Sequence, residues 1–228
     1  MTDIPPVITI DGPSGVGKGT AAQKLAKHLG WHYLDSGAIY RVFAWAVLRD
    51  QIDPEDMPAL KELLKTINIV MNVEQDQLQI LCDGEDISQA IRNEEVGSMA
   101  SRLSTLPLVR AELLQMQRDF QQFPGLVTDG RDMGTVVFPE ARLKLFFTAD
   151  QEERARRRYH QLQEKGENVN LHKILAQLAE RDQRDTERTI APLKPADDVV
   201  LIDTTSMSID DVMQTLIDKV ASEFGDTV

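Results

Sequence analysis

The sequence predicts an α/β fold, a central five-stranded parallel sheet flanked by helices. Three observations predict it. Short apolar runs alternate with longer helical patterns along most of the 228 residues, the order in which parallel strands and their crossover helices follow one another. A glycine-rich stretch, "DGPSGVGKGT" at 11–20, stands between the first such strand and the first such helix, where the ligand crevices of parallel sheets open. Only one segment, at about 61–125, departs from the alternation, and it reads as an insertion into the same plan.

The elements follow in order. Residues 7–11, Val-Ile-Thr-Ile-Asp, form a buried strand pattern, and 18–29 form a helix with Leu25 and Leu29 on one face, stopped by Gly30. "WHYLDSGAIYRVFAWAVLRD" from Trp31 gives a short strand, a turn at Asp35-Ser36-Gly37 and a helix to about Asp50, closed by "DPEDMP". From about residue 61 a short helix leads into "INIVMNV" and "LQILCDGEDIS", two alternating runs separated by Glu74 to Gln77, which read as a small antiparallel hairpin. Residues 91–123 return to helix, broken or bent at Pro107, and Pro124-Gly125 ends them. "GLVTDG" and "LKLFFTA" are strong strands, a charged helix follows Asp150, and the polar turn "EKGENVN" precedes a helix at 171–187. The strand "DVVLID" at 198–203 and a terminal helix from Ser208 complete the chain.

Composition narrows the function. With 25 Lys+Arg against 37 Asp+Glu the formal net charge is −12, which repels a polyanion and argues against wrapping a nucleic acid polymer. No stretch approaches the roughly 18 uninterrupted apolar residues of a membrane span, and the first residues lack the basic and apolar regions of a secretory signal, so a soluble cytoplasmic protein is expected. The single cysteine, Cys82, follows Ile80 and Leu81 and reads as a small buried hydrophobe. His28 and His32 share i,i+4 spacing but have Gly30 between them and no third ligand in register, so no protein-ligated metal is assigned. Basic residues cluster at "RARRR" (154–158) and "RDQRDTER" (181–188), against the acidic background.

Gly12, Pro13, Ser14, Gly15, Val16, Gly17 and Lys18 fit the spacing G-x-x-x-x-G-K of a phosphate-binding loop in the context that motif requires. Glycines let backbone N–H groups turn inward around phosphate oxygens, the helix N-terminus adds its dipole, and Lys18 adds a mobile charge. Gly19 occupies the usual hydroxyl position, so the hydroxyl that helps hold Mg²⁺ falls to Thr20.

"GPSGVGKGT", "LDSGAIYR" at 34–41, "DGRDMGTVVFP" at 129–139 and "RDQRDTER" through "APL" at 181–193 together resemble the bacterial cytidylate kinases, of the nucleoside monophosphate kinase family of P-loop kinases. The resemblance covers nearly the whole chain. It implies a core at 1–60, 126–150 and 171–228, an NMP-binding insertion at about 61–125 carrying the small antiparallel sheet, and a short lid at about 151–170. It implies phosphorylation of CMP and dCMP by MgATP, by direct in-line transfer, in a cytoplasmic monomer with no membrane or nucleic acid partner.

Two phosphates facing each other need many cations, best supplied by forked arginines. Arg41, Arg131, Arg181 and Arg188 lie in the matched blocks and Arg110 in the central helix, although any one taken alone could be a solvated surface charge. Arg41 and Arg131 follow strand ends and are given the acceptor phosphate. Arg181, Arg184, Asp185 and Arg188 share a helix face; the resemblance implies that Arg181, Asp185 and Ser101 lie near the sugar and Arg188 near the phosphates, whereas a bare i,i+4 pair of Arg181 with Asp185 is the plainer alternative. Ser36 is a further CMP residue, or with Asp35 only a turn. Asp132, with Ser101 and Arg110, faces the cytosine by the same resemblance, or else pairs with Arg131 or Arg110. Lys18, Arg131 and Arg188 are expected to stabilise charge on the transferring group, and Arg157 is the lid arginine assigned to ATP. Mg²⁺ is expected on ATP phosphates and water, with Thr20 its protein ligand and Asp129 or Asp35 reaching it through water. A different acceptor (UMP, AMP, shikimate) is the rival enzyme. A nucleotide switch is the rival of another class, although no guanine-reading N-K-x-D is present.

Overall fold

The three central strands of the sheet are runs of buried residues, the two edge strands are more exposed, and several helices begin or end on a residue that closes their open backbone groups. The computed structural model describes residues 4–74, 77–164, 166 and 168–225. In chain order the elements are β1 (Val7–Asp11), α1 (Lys18–Leu29), β2 (His32–Asp35), α2 (Ser36–Arg49), α3 (Met57–Thr66), β3 (Ile69–Glu74), β4 (Gln77–Cys82), β5 (Glu85–Asp86), α4 (Glu94–Leu103), α5 (Pro107–Arg118), β6 (Leu126–Gly130), β7 (Leu143–Thr148), α6 (Gln151–Glu164), α7 (Leu171–Glu187), β8 (Val200–Asp203) and α8 (Ile209–Phe224).

The chain divides into two packed units. The first comprises the residues up to Asp35 and those from Arg118 onward. Its sheet has the order β2-β6-β1-β7-β8 with every pairing parallel. Ile8 and Ile10 of β1, Val127 of β6 and Leu145 of β7 are buried against Ala21, Ala22 and Leu25 of α1 and Val212, Leu216 and Val220 of α8. Each large apolar side chain so buried stabilises the fold by about 1.5–3 kcal/mol. Helix α1 stops at Gly30, whose φ of 66° is open to glycine and whose N–H donates to the Ala26 and Lys27 carbonyls. Helix α8 starts on a capping box, with the Ser208 hydroxyl and Asp211 carboxylate each serving the other's backbone. Helices α6 and α7 pack through Ala155, Leu162, Ile174 and Leu178.

The second unit spans Ser36–Gln117. Helix α2 buries Ile39, Val42, Phe43 and Val47 and packs on α4 and on a 3₁₀ turn at Ala90–Arg92. Its small sheet is antiparallel, β3-β4-β5. Cys82 is fully buried there, and burial pushes its thiol up to about 11, so it is an inert core residue.

Several local expectations are corrected. No turn separates β2 from α2: Asp35 ends the strand and Ser36 begins the helix. Helix α3 begins at Met57, because the Asp56 carboxylate accepts the Ala59 N–H and Pro58 fits the first turn. The hairpin has a third strand, β5, after the tight turn at Asp83-Gly84, where both residues have positive φ. The segment expected as an insertion packs in one unit with α2, spanning Ser36–Gln117. Gln75 and Asp76 of the hairpin, and Lys165 and Glu167 of the polar turn "EKGENVN", lie outside the described residues. Among the described residues no helix is long and apolar enough to cross a membrane.

Candidate active site

The loop between β1 and α1 needs its glycines. Gly12, Gly15 and Gly17 have φ of 147°, 84° and 90°, values that side chains resist. A Cβ on Gly12 would also collide with the Phe147 carbonyl oxygen of β7. Gly17 is the N-cap of α1 and no side chain caps that end, so the first N–H groups and the positive helix end are presented to whatever anion enters the loop.

Lys18 is only 7% exposed, with Nζ donating to the Pro13 carbonyl at 3.0 Å. Burial pushes its ammonium below the lysine range, the cations Arg131 and Arg181 push the same way, and Asp129 and Asp185 oppose them. Cations that depress one another gain most from a dense anion placed among them. Asp129, at the end of β6, accepts from Tyr33 Oη at 2.8 Å. Burial pushes its carboxyl up, and the charge of Asp35 adds to that. A Cβ on Gly19 would stand 3.8 Å from Asp129 Oδ1, so this acid lies beside the loop's end.

Arg131 follows β6 directly. Its Nε donates to Asp185 Oδ2 at 2.6 Å, the two side chains being 16% and 6% exposed. Burial works against ionising Asp185, but Arg131, Arg181 and Arg188 outweigh it and hold the carboxyl below the usual range. The carboxylate thus reaches across to β6 and orients Arg131, with the Arg181 charge also favouring its ionised form. Arg188 is buried at the end of α7, and the Leu193 N–H, donating to the Asp185 carbonyl at 2.8 Å, folds the following segment back. Arg184 is bound instead to Glu180 at 2.6 Å on the exposed side.

Arg154 and Arg157 part company with their neighbours. Arg154 is buried, with Nη1 donating to the Ser14 carbonyl of the loop at 3.0 Å and to Asp182 Oδ2 of α7 at 2.6 Å, and Nε to the Ala149 carbonyl at 3.2 Å. Arg157 donates to the Thr204 carbonyl at 2.6 Å and pairs with Glu153 at 3.1 Å. It borders a recess of about 210 Å³ beside the loop, lined also by Val16, Gly17, Thr20, Thr204 and Met207. Arg156, 58% exposed, pairs with Glu152 and Glu153, and Arg158 donates to Gln161. Asp11 and Thr204 are absent from the sequence-derived set, and Arg154 enters it only as a member of the basic cluster 154–158. Thr204 is fully buried and its hydroxyl donates to the Val16 carbonyl at 3.1 Å; the threonine pair ending "LIDTT" was its only signal.

Asp132, 3% exposed, sits between Arg131 and a π-helical turn, Met133–Val137. The other four expected CMP residues belong to the second unit. Ser36 and Arg41 lie on α2, Ser101 on α4 and Arg110 on α5. Ser36 donates to Gln117 Oε1 at 2.7 Å. The Arg110 guanidinium lies 5.8 Å over the Tyr40 ring and donates to the Ser104 carbonyl at 3.3 Å. Ser101 and Arg110 are buried, so neither is a solvated surface group.

Residues 8–222 match the model of the family described as Cytidylate kinase. A cytidylate kinase of Aeromonas hydrophila is 51% identical over 226 residues, covering 99% of this chain and 98% of its own. One of Coxiella burnetii is 54% identical over 217 residues, covering 94% and 92%. Among solved structures, an uncharacterized protein from Eubacterium ventriosum superposes with a TM-score of 0.50 at 14% identity, over 95% of this chain and 98% of that one, a likeness of fold alone.

Proposed function

The chain belongs to the cytidylate kinase family, and from that premise we propose that it transfers the γ-phosphoryl group of ATP to the phosphate of CMP and of dCMP by direct in-line displacement. The observation that carries this reading is the cluster of Lys18, Arg131, Arg181 and Arg188 about the phosphate loop, with Asp185 bound to Arg131. Phosphoryl transfer asks the protein for positioning and charge, not for a covalent intermediate. Lys18 and the amides of Gly12 to Thr20 serve the ATP phosphates, and Arg157 with its recess the rest of the donor. Arg131 and Arg188 stabilise the group in transfer.

For the acceptor, the proposed residues are Ser36, Arg41, Ser101, Arg110, Arg131, Asp132, Arg181, Asp185 and Arg188. Asp132 is given the cytosine, since a carboxylate accepts from the N4 amino group and repels uracil O4. Segment 151–170 is proposed as the lid, whose closure excludes water that would otherwise hydrolyse ATP.

The donor set at the loop fits Mg²⁺ brought in with ATP, since Thr20 offers a hydroxyl and Asp129 and Asp35 hard carboxylate oxygens. Bound there, the ion neutralises charge on the phosphates. Thr20 would hold it directly and the acids through water.

A coupled ADP-release assay with CMP, dCMP, UMP, AMP, GMP and shikimate tests the reading. Strong preference for the two cytidine nucleotides is expected. Faster turnover of any other acceptor moves the reading to that acceptor, and ADP release independent of any acceptor returns it to a switch. The monomer and the cytoplasmic location carried by the resemblance are tested by light scattering and by cell fractionation.

A further inference from the structure

Asp11 ends β1 immediately before the phosphate loop, yet it serves neither the loop nor the arginine cluster. It is 4% exposed. Its Oδ1 accepts the Met133 N–H at 2.9 Å and its Oδ2 the Gly134 N–H at 2.8 Å. These are the first two amides of the π-helical turn Met133–Val137, and Asp132, the residue ahead of them, supplies no side-chain cap. One carboxylate thus caps a turn 122 residues distant in the chain. A buried carboxylate is costly unless hydrogen-bonded, and bonds to an ionised acceptor are about twice as strong as neutral ones, so this acid holds the turn more firmly than a neutral side chain could.

What the turn carries is the pair Arg131 and Asp132. The Asp132 carbonyl accepts from Val136 and Val137 N–H at 2.9 and 3.2 Å, so the turn fixes that residue's backbone, while Asp185 fixes the Arg131 side chain. The phosphate loop has anchors of its own, with Gly12 against Phe147, Lys18 on Pro13 and Arg154 on Ser14.

We propose that Asp11 is a positioning residue for the phosphoryl acceptor: its carboxylate fixes the turn Met133–Val137 and thereby places Arg131 and Asp132 relative to the phosphate loop. This role rests on the reading that Arg131 and Asp132 serve CMP. Losing the carboxylate is then felt by CMP and by the transfer step, while ATP binding is spared. The turn is also tight on its other side, where a Cβ on Gly134 would come within 2.9 Å of Thr9 Oγ1 and 3.3 Å of Lys144 Cδ. Gly134→Ala therefore displaces the same turn with Asp11 intact.

The test compares Asp11→Asn and Gly134→Ala with the parent, by amide hydrogen exchange without ligand and by steady-state kinetics. In Asp11→Asn the Met133 and Gly134 amides are expected to exchange about tenfold or more faster while Leu25 in α1 is unchanged. In both variants kcat/KM for CMP is expected to fall about 10²-fold, the scale of a misplaced reacting group, with KM for ATP within about threefold of the parent. Unchanged exchange at both amides overturns the hold of Asp11 on the turn. Parallel loss for ATP and CMP overturns the positioning role and leaves a merely structural acid. Should Asp11→Asn not fold, Gly134→Ala decides by the same CMP-against-ATP split. A parent that phosphorylates no CMP overturns the functional reading and the acceptor role with it, while the exchange experiment still reports separately whether Asp11 holds the turn.

Discussion

Strands β1 and β6 are neighbours in the sheet, and each brings a threonine, an aspartate and a glycine to the same end: Thr9, Asp11 and Gly12 from one, Thr128, Asp129 and Gly130 from the other. Their register pairs Asp11 with Gly130 and Ile10 with Asp129. Because side chains alternate along a strand, the two carboxylates leave the sheet on opposite faces. Asp11 gives both oxygens to backbone amides of the turn after β6, whereas Asp129 accepts one phenolic proton and feels the charge of Lys18. The same residue type, one register step apart, is a building part in one strand and a neighbour of the loop lysine in the other. The loops that follow differ in the same way: the one after β1 presents amides and Lys18, the one after β6 presents side chains, Arg131 and Asp132.

If that division is donor against acceptor, the largest effect comes from the loop after β6. Asp132→Asn lets a carboxamide turn its NH₂ toward uracil O4, so the ratio of kcat/KM for CMP over UMP should fall by up to about 10⁴-fold, mainly through loss on CMP. KM for ATP should hardly move. A variant with the parent's preference would mean that other residues read the base. Next comes the loop after β1: Lys18→Ala removes one buried stabiliser of developing charge and should cut kcat by about 10²–10³, while calorimetry still detects CMP binding. Near-normal turnover there would take the loop out of the mechanism.

Asp185→Ala sharpens the comparison from outside both loops. It leaves the buried Arg131 guanidinium without its carboxylate, and breaking such a pair commonly costs about 3–5 kcal/mol. The Asp185 carboxyl is held low in the folded state, so its stabilisation is present above the unfolded value of 3.8 and is lost as pH falls through the folded one. Urea unfolding should show the deficit of the variant at pH 7 and its disappearance in acid. A deficit that persists undiminished well below pH 3.8 would mean that packing, not charge, is lost.

The centre of the sheet was legible because β1, β6 and β7 are continuous buried runs, and the phosphate loop because its spacing is local in the chain. The five arginines were singled out only through the family resemblance, since nothing in a single arginine tells a ligand from a surface charge. What stayed hidden is long-range. "RARRR" presents Arg154 and Arg156 as equals, but helix phase turns one toward Ser14 and Asp182 and the other to solvent. The direct passage of β2 into α2, the third strand β5 and the π-helical turn leave no period of their own. Nor does "TIDG" reveal which face Asp11 takes, because the register that decides it belongs to the partner strand.

The smallest effect separates the two aspartates by pH. Burial pushes the Asp11 carboxyl up to about 6, against the Met133 and Gly134 amides and the more distant Lys18, which favour its charge, and with Asp132, which opposes it. An unfolded aspartate releases its proton near 3.8, so between that value and about 6 the folded protein binds the extra proton. Stability from this residue is then greatest in acid and declines as pH rises through the window, by roughly 3 kcal/mol at 1.36 kcal/mol per pKa unit. Asp11→Asn removes that slope, because the carboxamide does not titrate. It loses one amide bond at every pH, a constant offset that leaves the slope readable. The unfolding free energy of the parent minus that of the variant should therefore decrease from about pH 4 to about pH 6 and flatten above it. Asp129, also pushed up by burial, is present in both proteins and cancels from the difference. Two parallel stability curves across that range would show that Asp11 is ionised throughout, with its two amide bonds outweighing burial.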